Sequence, residues 1–129
     1  MAEIRAQAIK DGYVRTVLGR KIYLPDIKHQ KVSIRKAAER AAINAPMQGT
    51  AAELIKCAMI RVADELSSFG DDAYLIIQVH DELIFEVKSE LVDRFLPRIR
   101  EAMTGVLKLD VPLVVNHTVG DRWGEMVAD

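Results

Sequence analysis

His80, Asp81 and Glu82 put one imidazole and two carboxylates in three consecutive positions. An imidazole can hold or move a proton near neutral pH, and carboxylate oxygens are the ligands that hard divalent cations prefer. The apolar run Tyr74-Leu75-Ile76-Ile77 precedes them, and Leu83, Phe85 and Val87 follow in alternation with Ile84 and Glu86. That alternation is the period of a half-buried strand, and Tyr74 to Val79 is expected as a strand buried on both faces. Only His80 and Asp81 remain to make the turn, which predicts a tight antiparallel hairpin. Asp suits such a turn because it tolerates left-handed backbone angles, whereas His needs another reason to be there. The plainer alternative is that Asp81 and Glu82 are solvated turn residues and His80 merely packs.

Two further sets have the right types for binding. Arg40, Asn44 and Gln48 are spaced by four, so on one continuous helix they share a face, and each side chain offers hydrogen-bond donors. The alternative makes Arg40 a surface cation, Asn44 a cap and Gln48 a first-turn residue. Arg15, Arg20 and Lys21 lie in or beside a glycine-containing loop. They have the charge to touch phosphate, and equally to keep an exposed hairpin soluble.

The elements that must position these residues follow from the pattern. Ala2 to Lys10 reads as the tail of a helix, stopped at Gly12. Tyr13 to Leu18 and Ile22 to Leu24 flank Gly19-Arg20-Lys21 as a hairpin. A helix is expected from about Val32 to Asn44, and Pro46 should open a second one ending near Ser68. In that second helix Ala51, Leu54, Ile55, Ala58, Met59, Val62 and Leu66 form the stripe laid on a sheet, and Cys57 is expected to be buried. From Ser89 another helix buries Leu91, Phe95, Ile99 and Met103, with a kink or a break at Pro97. Pro112 to Val119 reads as a final strand, and Trp123 is expected to dock on the body.

With 129 residues the chain is expected to form a single domain, 1–129. No run approaches a membrane span, no charged-then-apolar leader opens it, and a single cysteine fits a reducing cytoplasm. The net charge of −1 hides an asymmetry: residues 1–40 hold ten Lys/Arg against four Asp/Glu, and the rest hold eight against fifteen. A basic leading third and an acidic remainder suit phosphate contacts on one side and metal-binding carboxylates on the other.

Gln78-Val79-His80-Asp81-Glu82 resembles the third polymerase motif of the family A DNA polymerases, the bacterial DNA polymerase I type. Two other stretches resemble the same family, in the family's order. One runs from Gly12-Tyr13-Val14-Arg15-Thr16 through Gly19-Arg20-Lys21 to Leu24-Pro25-Asp26. The other runs from Ala38-Glu39-Arg40 through Asn44 and Pro46 to Gln48-Gly49-Thr50-Ala51-Ala52. Val119-Gly120-Asp121-Arg122-Trp123 is a fourth, weaker match, and together they cover nearly the whole chain.

The resemblance implies an α+β fold: a small antiparallel sheet, made of the catalytic-type hairpin and the C-terminal strand, with helices on one face. It resembles the C-terminal portion of a polymerase palm. It implies templated DNA synthesis from deoxynucleoside triphosphates on primer-template DNA, with two Mg²⁺ ions. Asp81 is then a metal ligand, Glu82 a second carboxylate that assists, and His80 a contact to the primer terminus. Arg40, Asn44 and Gln48 match the family's contacts to the minor groove, where acceptors occur in all correct base pairs and donors sense geometry, not sequence. Arg15, Arg20 and Lys21 are carried along as DNA-binding candidates. The family's other catalytic aspartate and its fingers have no counterpart here, so the isolated fragment is expected to be inactive and prone to self-association through an open sheet edge. Two other classes remain: a free-standing nucleic-acid-binding module, and a small metal-dependent hydrolase using His80, Asp81 and Glu82.

Overall fold

Ten residues of mostly good helix formers make α1 (Ala2–Asp11), and Gly12 ends it with a φ of +76° that residues bearing a Cβ rarely adopt. The computed structural model describes residues 2–128. Where the sequence reads as one domain, the contacts gather into two units, Met1–Leu54 and Ile55–Asp129.

In the first unit, β1 (Tyr13–Arg15) and β2 (Lys21–Tyr23) form an antiparallel ribbon with Tyr13 opposite Tyr23, Val14 opposite Ile22 and Arg15 opposite Lys21. A single 3-10 turn, Pro25–Lys28, leads into the first part of α2 (Val32–Leu66). Their shared core is Ala8, Val14, Leu24, Ile27, Ala38 and Ala42, with Ile22 and Ala45 against it. Alanines on both helices let backbones approach closely, which is how so few large side chains make a core.

The expected break at Pro46 does not occur: α2 runs unbroken through it for 35 residues. A proline inside a helix costs about 3 kcal/mol, because it removes one N–H and crowds the preceding turn. Buried Ala38 and Ala42 lie before it in the core of the first unit and buried Val62 lies after it in the core of the second, so each part of α2 is held by packing of its own. One turn further on, the Thr50 hydroxyl donates to the Pro46 carbonyl at 2.6 Å.

In the second unit, β3 (Ala73–Val79) and β4 (Glu82–Val87) form the predicted hairpin, with Val79 opposite Glu82 and a register shift at Ile76. A 3-10 turn, Ser89–Leu91, opens α3 (Val92–Thr104), which also passes through its proline, Pro97, as one helix. Phe95, Ile99 and Ala102 of α3 meet Val62, Phe69 and Ala73, and Leu83, Phe85 and Val87 pack on this cluster. The Phe95 ring is met edge-on by Phe69 at 5.4 Å and by Phe85 at 5.2 Å, the arrangement aromatic quadrupoles favour. Helices therefore cover one face of the β3–β4 ribbon, as an α+β fold requires.

Four expectations are corrected. β3 is not buried on both faces: Tyr74, Ile76 and Ile77 are exposed, because only the side bearing Ala73, Leu83, Phe85 and Val87 meets the core. The strand expected over 112–119 shrinks to β5 (Thr118–Val119), which pairs with β6 (Val127–Ala128) and not with the hairpin. Apolar content alone set the longer expectation, and without a strand beside it the stretch before Thr118 forms no ladder; the Val115 carbonyl accepts from Arg100 Nε instead. Trp123 is 63% exposed, and Cys57 is half-buried. Among the described residues no helix is long and apolar enough to cross a membrane.

Candidate functional site

A two-residue hairpin loop needs left-handed backbone at its first position, since the primed turns are the ones whose twist suits the strands. His80 takes that position with a φ of +52°, the one described non-glycine residue with positive φ. The conformational demand thus falls on the imidazole and not on Asp81, whose side chain would have met it more easily. Gln78 compensates by donating from Nε2 to the His80 carbonyl at 2.6 Å. His80, Asp81 and Glu82 are all exposed, so the tip presents an imidazole and two carboxyl groups to solvent. Glu82 stands opposite Val79 and alternates with core-facing Leu83, placing it on the face turned away from the core.

Divalent cations with oxygen ligands need several donors, and Mg²⁺ usually combines one or two carboxylates with waters and phosphates. Among the described residues no three His, Cys, Asp or Glu side chains gather where they could hold a metal ion. Asp81 offers one exposed carboxyl group, which is fewer donors than such a site needs. The other histidines are engaged locally: His29 Nδ1 accepts from the Lys31 N–H at 3.0 Å, and His117 Nδ1 lies 3.5 Å from Arg100. Neither adds a ligand cluster of the kind a small hydrolase would require.

Arg40, Asn44 and Gln48 are exposed along α2. Because α2 is unbroken, their spacing keeps them in one stripe spanning about a quarter of the helix circumference. The structure thus brings these three together in the first unit and His80, Asp81 and Glu82 together in the second.

The β1–β2 ribbon divides its three cations between two tasks. Arg15 and Lys21 share the exposed face with Tyr13 and Tyr23; the Arg15 guanidinium lies 5.2 Å, and the Lys21 ammonium 4.6 Å, from the Tyr13 ring centre. Arg20 turns instead to Glu53, with Nε 2.8 Å from Oε1. Glu53 is only 6% exposed. Sequence reading missed Glu53, Thr50 and Thr16; the buried carboxylate was hidden because Glu in an alanine-rich helix looks like an ordinary solvated residue. Its one signal was its place five residues beyond Gln48.

The comparisons with known proteins agree in one direction. Residues 1–125 match the model of DNA polymerase family A. DNA polymerase I of Pseudomonas aeruginosa is 52% identical over 125 residues, which is 97% of this chain and 14% of that relative. The thermostable DNA polymerase I of Thermus aquaticus is 44% identical over 112 residues, 87% of this chain and 13% of that relative. The solved POL domain of Pol1 from M. smegmatis, in complex with DNA primer-template and dNTP, matches with a TM-score of 0.83 at 46% identity, over 88% of this chain and 20% of that one. The chain therefore spans 14% of the length of the Pseudomonas aeruginosa relative.

Proposed function

The chain belongs to DNA polymerase family A, and on that premise we propose that it is the C-terminal part of a polymerase palm, 1–129, serving templated DNA synthesis in the cytoplasm. The observation that carries the reading is the hairpin tip. A strained His80 and two exposed carboxylates project from a ribbon whose other face is locked to an aromatic core.

Phosphoryl transfer asks little covalent chemistry of the protein, so catalysis is positioning and charge stabilisation. Members of the family use divalent metal, and Mg²⁺ bound here would polarise the transferring phosphoryl group and neutralise its charge. Asp81 holds one position of that centre, Glu82 assists from the outer face, and His80 contacts the sugar-phosphate of the primer terminus. Arg40, Asn44 and Gln48 donate to minor-groove acceptors of the newly formed pairs, and Arg15 and Lys21 meet phosphates. The partners are primer-template DNA and deoxynucleoside triphosphates. The 129 residues alone do not polymerise, and they self-associate through the exposed apolar face and free edge of β3.

Primer extension by a full-length family A polymerase carrying this segment tests the reading. Asp81→Ala should lower kcat by about a thousandfold or more, as the loss of a group acting on transition-state charge does, with an unchanged melting temperature. Extension that survives Asp81→Ala, or robust extension by the 129 residues alone, overturns it. Magnesium titration calorimetry on the 129 residues should show weak binding, and sedimentation should show species larger than monomer.

A further inference from the structure

Gly49, Thr50 and Glu53 occupy the side of α2 opposite the stripe of Arg40, Asn44 and Gln48, as the helical advance of about 100° per residue requires. The turn end of the β1–β2 ribbon grips that side through three contacts. The Val17 N–H donates to Thr50 Oγ1 at 3.0 Å, while the same hydroxyl donates to the Pro46 carbonyl. The Arg20 guanidinium pairs with buried Glu53. Gly49 leaves no gap: a Cβ there would come within 2.7 Å of Thr16 Cγ2 and 2.9 Å of Ile22 Cδ1. The loop is tied to itself as well, since the Arg20 N–H donates to Thr16 Oγ1 at 3.0 Å and Thr16 is 5% exposed.

Pro46 is where α2 is least able to hold its own direction. Its missing N–H leaves the Ala42 carbonyl without a helical partner, and such sites are where helices kink. Gln48 follows two residues later, so the direction of the helix beyond the proline sets where the Gln48 amide is delivered. The brace lies within about two turns of the weak point and on the back of the helix, leaving the donor face open. Glu53 is not a surface charge that happens to find a cation. Its carboxylate is enclosed, its Oε2 has no hydrogen-bond partner among the described residues, and Arg20 is the cation that balances it.

We propose that Thr50 and Glu53 are positioning residues, which clamp the β1–β2 loop to α2 and thereby hold Gln48 at the geometry its contact to DNA needs. The inference rests on the reading of Gln48 as a minor-groove donor. It explains why a ribbon with three basic residues commits one of them, Arg20 in its loop, to a protein carboxylate while Arg15 and Lys21 remain on the open face.

The test uses a full-length family A polymerase carrying this segment, with Gln48→Ala, Thr50→Val, Thr50→Ser and the double variant Gln48→Ala/Thr50→Val. The readouts are kcat, the KM for primer-template and the melting temperature. Gln48→Ala reports on the underlying reading by itself: if it extends a matched primer like the parent, that reading fails whatever Thr50 does. If Gln48→Ala is impaired, Thr50→Val should lose about tenfold in kcat/KM, since small misplacements of a positioned group cost one to two powers of ten. Thr50→Ser should restore most of it, and Thr50→Val should add little on top of Gln48→Ala. The clamp proposal is overturned if Thr50→Val matches the parent while Gln48→Ala is impaired, or if the two losses multiply. It is also overturned if the loss in Thr50→Val tracks the unfolded fraction at the assay temperature. Glu53→Gln, which keeps a hydrogen-bond acceptor for Arg20, should fall between Thr50→Ser and Thr50→Val.

Discussion

The two units hold their candidate residues in place by different physics. In the second, three phenylalanine rings from the chain before β3, from β4 and from α3 meet edge to face, and the hairpin tip is simply the end of a ribbon fastened to that cluster. In the first, half of the core is alanine and the rest aliphatic side chains, and the decisive ties are polar: a threonine hydroxyl, a buried carboxylate and a guanidinium. Apolar packing is non-directional and gives a rigid support wherever enough area is buried. Hydrogen bonds and ion pairs fix direction, which is what a helix weakened by proline lacks. The ribbon of the second unit needs a platform, and the helix of the first needs a bearing.

The largest expected effect tests the platform. Phe95 is 3% exposed and touches both partner rings. Phe95→Ala should cost about 3–5 kcal/mol, the transfer loss plus a cavity, read as a shift of the urea midpoint. A cost near zero would mean that the aromatic cluster is not what supports the hairpin. Next comes the clamp. Arg20→Ala leaves the Glu53 carboxylate enclosed without its cation; because the Arg20 side chain is 59% exposed, the expected loss is discounted to about 1–2 kcal/mol. Equal costs for Phe95→Ala and Arg20→Ala would break the contrast between the units.

A smaller effect has the opposite sign. His80 carries left-handed backbone strain of about 1–2 kcal/mol for a residue with a Cβ, and glycine removes it while adding about 0.5–1 kcal/mol of unfolded-state entropy. His80→Gly should therefore stabilise by up to about 1 kcal/mol in chemical denaturation, while weakening primer extension in the full-length enzyme. A destabilised His80→Gly would show that the ring packs, contrary to its exposure.

The smallest effect concerns the far end of the same ribbon. Hydrogen bonding to Asp72, and then its charge, hold the Lys88 ammonium above its ordinary 10.5. A raised lysine contributes stability that is complete below the unfolded value and disappears as pH climbs through the folded one. Denaturation midpoints followed into that alkaline range should fall slightly more in the parent than in Asp72→Asn. Because the Lys88 side chain is largely exposed to solvent, identical curves for the two would remove the pair from the account of how the ribbon is closed.

Patterns local to a few residues were legible in the sequence. The two-residue turn at His80-Asp81, the strands on either side of it and the amphipathic α3 follow from periods of two and of about three and a half, which any single chain displays. Three features were decided by tertiary structure. Helix or break at Pro46 depends on whether the residues on each side of it are held by packing, and no local penalty contains that information. The fate of 112–119 depended on a strand partner, and Val119 found Val127 across its own short turn. Glu53 became a buried counter-ion because the β1–β2 loop lies over it. Propensity and period are properties of neighbours along the chain; burial and pairing belong to neighbours in space, and those exist once the chain has folded.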